Sequence, residues 1–217
     1  DQYTEAVYRD TSAWYHIVLQ FDTTQATASN RTKIYVNGVQ QTLTGSYVNQ
    51  YTSSIINSAT THGLGGNEFF NSEQVNGYMA EVHFVDGQAL EPSDFGEYDE
   101  DSGIWKPKEY EGTYGTPGWY LDFVDNTSAG KDTSGNNNNF SDINLNAADH
   151  ATDTPTNNFA TYNVLVNNNT TETEGATRIN SDSSFQTVPA SIGVTSGKWY
   201  AEFKHNETGN EAFFGVV

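Results

Sequence analysis

The sequence has no cysteine, and only 9 lysines and arginines against 28 aspartates and glutamates in 217 residues. Without cysteine, structural disulfides, thiolate catalysis and cysteine-based zinc sites are all excluded. A secreted eukaryotic module of this size often carries a disulfide, so the absence points towards a microbial or viral source. The shortage of cations leaves a net charge of −19. Such a surface repels phosphate backbones and anionic membranes and argues against nucleic acid as a partner. It also keeps an exposed protein dispersed, which is reason enough for the acidity. Apolar residues are scarce, at 35%. No run approaches the length of a membrane span and none resembles a signal peptide, so no membrane insertion is expected. Nor does any long segment carry the 3.6-residue apolar stripe of an amphipathic helix.

Aromatic residues, by contrast, are plentiful: 4 Trp, 13 Tyr and 12 Phe. A disordered chain is poor in them. Together with abundant Gly, Asn, Thr and Ser, they indicate an all-β protein with aromatic-rich strands and long polar loops. Several runs alternate with the period of a half-buried strand. In "WYHIVLQFD", Tyr15, Ile17, Leu19 and Phe21 share one face, with His16 and Gln20 opposite. In "GYMAEVHFVDG", Tyr78, Ala80, Val82 and Phe84 oppose Glu81 and His83. In "KWYAEFKH", Trp199, Ala201 and Phe203 oppose Lys198, Tyr200, Glu202 and Lys204. The run Arg31 to Gln40 reads as a hairpin, because Asn37-Gly38 suits the two positive-φ positions of a type I′ turn. "LEPSDFGEYDE" is expected to start a short helical turn capped by Ser93. Trp14-Tyr15, Trp119-Tyr120 and Trp199-Tyr200 are unequally spaced, which excludes a solenoid repeat and reads as strand openers.

Composition divides the chain into four. Residues 1–95 form one block of strands, and 96–116 a charged, proline-punctuated connector. Residues 117–159 give one strand followed by an Asn-rich extended arm that resists a single regular assignment. A last block covers 160–217. The chain does not begin with Met and stops in mid-strand by pattern, so a piece of a longer protein is expected.

No catalytic constellation emerges, and a non-enzymatic role is expected. The nearest approach to a glycosidase Glu-x-Asp-x-x-Glu strand, whose carboxylates stand about 5 Å apart, is "EYDEDS". Glu97 and Asp99 fit, but Ser102 replaces the second Glu. His16, His62, His83, His150 and His205 lack metal-ligand spacing, "GLGGNE" has Glu68 where a dinucleotide loop needs Gly, and no GxSxG elbow occurs. In "DTSGNNNNFSD", Asp132, Ser134, Asn136, Asn138 and Asp142 are oxygen donors at the spacing of a loose Ca²⁺ loop. Asn-rich turn chemistry accounts for them equally well. Sugar binding needs an aromatic platform beside amides or carboxylates. "GNEFFNSEQ" offers Asn67, Glu68, Phe69, Phe70, Asn71 and Glu73, and an interface between subunits is the other reading of its two adjacent Phe.

"WYHIVLQFD", "TKIYVNGVQ", "HGLGGNEFF" and "VNGYMAEVHFVDGQAL" follow one another in an order that resembles the later half of a laminin-G-like, concanavalin A-like jelly-roll domain. Trp14 and His16, then Tyr35, Asn37 and Gly38, then Gly63, Gly65 and Gly66, then Gly77, Tyr78, Glu81, Ala89 and Leu90 carry the resemblance, over about residues 10 to 95. "TVPASIGVTSGKWYAEFKHNETGNEAFFGVV" looks like the start of a SPRY-type β-sandwich, through Gly197, Lys198, Trp199, Tyr200, Glu202, Gly215 and Val216. This order of modules is similar to tail-fibre and appendage proteins of marine bacteriophages. The resemblance implies an antiparallel jelly-roll sandwich, a long irregular arm and a second, partial β-sandwich. It further implies a virion-surface location, with copies of the same chain, other virion proteins and host-surface polysaccharide as partners. A purely structural subunit, and a polysaccharide-degrading enzyme with catalytic residues elsewhere, are the alternatives.

Overall fold

The computed structural model of the chain describes residues 1–10, 13–56, 58, 60–66, 75–163, 166, 170–181, 187–206 and 215. They are all-β, with helix limited to single 3-10 turns. The strands are β1 (Gln2–Thr4), β2 (Ile17–Phe21), β3 (Thr32–Val36), β4 (Val39–Gln40), β5 (Leu43–Gly45), β6 (Val82–Phe84), β7 (Gly96–Tyr98), β8 (Trp105–Pro107), β9 (Trp119–Leu121), β10 (Thr170–Thr173) and β11 (Arg178–Ser181). They form small, open, antiparallel sheets. One has the order β2-β3-β4, and β1-β5, β6-β9, β7-β8 and β10-β11 make two-stranded ribbons.

The β3–β4 hairpin has the turn its sequence calls for, with Asn37 at φ 49 and Gly38 at φ 78. Asn37 also ties the turn to β2, because its Oδ1 accepts the His16 N–H at 2.8 Å and its own N–H donates to the His16 carbonyl at 2.8 Å. Central β3 buries both Tyr35 and Val36.

Strand β2 departs from the apolar-in pattern. Ile17 and Leu19 are exposed, at 65% and 57%, whereas Gln20 is buried at 6%. A buried amide is costly unless its polar atoms find partners. The Gln20 side chain donates to the Ala89 and Leu90 carbonyls, both at 3.1 Å, and to Glu91 Oε1 at 3.3 Å.

Three other expectations are corrected. The charged segment after Glu97 is no plain connector: β7 and β8 pair within it and carry Trp105 to the β2–β3 sheet. Three-residue strands amid charges leave little periodicity to read. The helical turn at Pro92–Asp94 is capped by Glu91 rather than Ser93. The Glu91 N–H donates to Asp94 Oδ2 at 2.8 Å, and the Asp94 N–H bonds the Glu91 side chain in return. "KWYAEFKH" forms no strand. Residues 198–205 carry no strand or bridge, and Trp199 and Tyr200 are exposed at 68% and 84%. Alternation defines two faces, but a strand's N–H and C=O groups need a neighbour to bond.

Leu121, Tyr35 and Val36 are the only buried hydrophobic residues among those described. Apolar burial is therefore thin, and polar and aromatic contacts carry much of the tertiary structure.

Candidate functional site

The β6–β9 ribbon organises two environments, one on each face. Successive side chains on a strand point to opposite sides, and the register pairs Val82 with Leu121, His83 with Tyr120 and Phe84 with Trp119. One face therefore presents His83 and Tyr120, and the other Phe84, Trp119 and Leu121.

The first face enters an aromatic cluster. The His83 ring lies parallel to Tyr120, centroids 4.1 Å apart, and meets Phe95, Tyr110 and Tyr114. Its Nδ1 is 2.9 Å from the Tyr114 hydroxyl. Burial, then the neighbouring His16, holds His83 down at about 4, so the ring is neutral at pH 7. Burial lowers His16 as well. Trp105 Nε1 donates to His16 Nδ1 at 2.9 Å, which makes Nδ1 an acceptor and leaves the proton on Nε2. Tyr35 is pushed up to about 12 by burial, by its hydrogen bond to Glu91 Oε2 at 3.0 Å and by that carboxylate's charge. Tyr120 rises to about 12 through burial and nearby carboxylates. The cluster is a polar aromatic core whose titratable rings are held neutral.

The second face opens on a trough of about 1980 Å³. Trp119 lies over Phe84 with centroids 5.8 Å apart and meets Phe140 edge-on at 4.9 Å. Trp14 forms another part of the wall. Its indole N–H donates to Asp153 Oδ2 at 2.9 Å, across 139 residues of chain, and Asp153 itself is buried. Tyr78 is half exposed, its hydroxyl accepting the Gly175 N–H at 2.8 Å. The Asn-rich arm supplies the polar side, with Asp142, Asn144, Asn146, Asp149 and His150. The His150 Nε2 is enclosed and has no hydrogen-bond partner among the described residues. Glu81, at φ 51, breaks the expected alternation so that β6 begins only at Val82, yet Tyr78, Ala80 and Phe84 still reach the trough.

The expected calcium-loop residues serve the local fold. Asp132 is buried, and its Oδ1 accepts the Tyr120 and Ser134 N–H groups, both at 2.9 Å, while Oδ2 accepts the Asn138 N–H at 2.8 Å. Burial raises its pKa, but these hydrogen bonds outweigh that and hold the carboxyl below the usual carboxylate range. Asn136 and Asn138 donate their side-chain N–H groups to carbonyls of Gly115, Thr116 and Gly118. Ser134 Oγ accepts the Asn136 N–H at 3.3 Å. Asp142 binds the Ala129 and Gly130 N–H groups at 3.0 and 2.6 Å. Asn138 and Asp142 reach the trough, and Asp132, Ser134 and Asn136 do not line it. The Asp132, Ser134 and Asp142 side-chain oxygens thus accept backbone N–H groups. Among the described residues, no group of three or more His, Asp or Glu is arranged to hold a metal ion.

Asn67, Glu68, Phe69, Phe70, Asn71 and Glu73 lie outside the described residues, but the residues flanking that segment, Gly66 and Val75, line the trough. Glu97 and Asp99 share Lys106, at 3.4 and 3.3 Å, on an exposed hairpin. Sequence reasoning passed over Trp14, Trp119, Phe140, Asp122, Asp149 and Asp153 as trough residues. The Trp-Tyr pairs were the available signal, since adjacent strand positions face opposite ways and Trp119 and Tyr120 serve different faces.

Fold and site together define an all-β chain of small open sheets with an acidic, aromatic-walled trough. No protein-family model, no curated protein and no solved structure matches the chain.

Proposed function

We propose that this chain is a non-enzymatic adhesion and assembly module of a virion appendage, tail-fibre-like, which binds host-surface glycan in its trough. The trough carries the reading. Its size is about twice that of a large small-molecule pocket, so it suits an extended oligomer. Tyr78 offers an exposed ring, and amides and carboxylates stand elsewhere in the lining. Sugar hydroxyls need such acceptors, and the apolar faces of sugar rings stack on such aromatics. The chain is all-β, with β2 and the β3–β4 hairpin in one antiparallel sheet, and the laminin-G-like jelly roll is carried by the sequence resemblance. The SPRY-like likeness and the appendage setting rest on sequence alone. In solution, a glycan array probed with this chain should give hits. Tyr78→Ala, checked for folding by circular dichroism, should weaken them about fivefold, as the loss of about 1 kcal/mol of ring stacking requires. An array without a hit would refute glycan binding.

A purely structural subunit is the second reading, favoured by Ile17 and Leu19 standing exposed on one face of β2. Light scattering that shows a concentration-dependent oligomer, with an array that stays blank, would select it.

A further inference from the structure

We infer that the trough takes uncharged glycans and rejects sulfated, sialylated and uronic ones; this rests on the glycan reading above. Its described lining contains Asp122, Asp142, Asp149 and Asp153 and neither lysine nor arginine. Each carboxylate is fixed in place by hydrogen bonds from the protein. Asp122 Oδ1 accepts the Val124 N–H at 3.0 Å and Asp149 Oδ2 the Asn146 N–H at 2.8 Å. Asp142 and Asp153 are held through both oxygens, the latter by Trp14 Nε1 and the Phe159 N–H at 2.7 Å. A carboxylate oxygen has lone pairs to spare beyond one such bond, so these oxygens still accept sugar O–H groups. They are acceptors only, and an anionic ligand brings further acceptors and no protons to share.

Charge sharpens the preference. The nearby Lys131 is engaged by Asp125 at 3.7 Å, and the chain as a whole carries −19. A sulfate or carboxylate entering the trough meets like charge with no lysine or arginine in the described lining to compensate it, in a cleft whose low-dielectric walls strengthen the field. Neutral sugars pay no such penalty. Since screening shortens from about 10 Å at 0.1 M salt to about 3 Å at 1 M, the discrimination must fade with salt.

The experiment compares neutral glycans with sulfated, sialylated and uronic ones on the same array. Titration calorimetry then follows an N-acetylglucosamine hexamer and a uronate hexamer at low and high salt. We expect the neutral class to bind at least about tenfold tighter at low salt, with the ratio falling as salt rises. The double variant Asp122→Asn with Asp149→Asn keeps an oxygen for the Val124 and Asn146 N–H groups and should narrow the ratio of neutral to anionic binding at low salt. Equal or tighter binding of anionic glycans, lost in Tyr78→Ala, would overturn this selectivity and leave the glycan reading intact. No binding by either class would overturn both.

Discussion

Replacing His83 with phenylalanine should flatten the acid side of the stability profile. In the folded chain, burial, with a smaller push from His16, lowers the imidazole from 6.5 to about 4. The unfolded chain titrates near the unperturbed value. Between the two, the unfolded state binds a proton that the folded state refuses, so stability rises with pH. The contribution is complete above about pH 6.5 and is lost as pH falls to about 4. At about 1.4 kcal/mol per pH unit the whole loss is about 3 kcal/mol, and about 2 kcal/mol has gone by pH 5. His83→Phe retains a ring to lie against Tyr120 but has no proton to take up. It forfeits the Tyr114 hydroxyl contact, which costs about 1 kcal/mol at every pH. His16 is present in both proteins and cancels. Asp99, held at about 2 first by the Ser102 N–H and hydroxyl and then by Lys106, titrates below the window. Urea titrations followed by tryptophan fluorescence at about pH 7 and about pH 5 provide the comparison, and the parent chain should lose about 2 kcal/mol more than the variant. Equal losses would falsify the buried neutral imidazole.

Gly38→Ala places a methyl group 2.5 Å from the Trp105 ring on a backbone at φ 78. It should cost about 2 kcal/mol and shift Trp105 emission; an unchanged urea midpoint would refute the packing of the β7–β8 hairpin on the turn. Asp132→Ala leaves the Tyr120, Ser134 and Asn138 N–H groups without their acceptor and should cost about 3 kcal/mol. Because that carboxylate is already committed, millimolar calcium should leave the melting temperature of the parent chain unchanged, and a calcium-dependent rise would show that the loop rearranges to coordinate the ion.

Local chemistry made part of the fold legible. Asn37-Gly38 could serve few other purposes between two alternating runs, and its backbone angles follow from the residues alone. The strands at Ile17 and Trp119 were visible for the same reason, as was the irregular Asn-rich stretch. The β7–β8 hairpin was hidden, because Glu97, Asp99 and Lys106 mask the short alternation that brings Trp105 inward. Of the trough's lining, the spacing of oxygen donors picks out Asn138 and Asp142, though for a cation, and strand alternation picks out Tyr78, Ala80 and Phe84. Trp14 and Asp153 meet across 139 residues, a distance over which no local pattern operates.

Composition, periodicity and turn residues sufficed to make this an acidic, cysteine-free, all-β chain with a type I′ hairpin. Each of these depends on a residue and its near neighbours. Which face of a strand is covered depends instead on what long-range packing brings against it. Period-two alternation puts Ile17 and Leu19 opposite His16 and Gln20 without saying which pair goes inside. Tertiary hydrogen bonds to Gln20 and the Trp105 contact with His16 decided for the polar pair. In the same way the β6–β9 register set Tyr120 against His83 and left Trp119 to wall the trough.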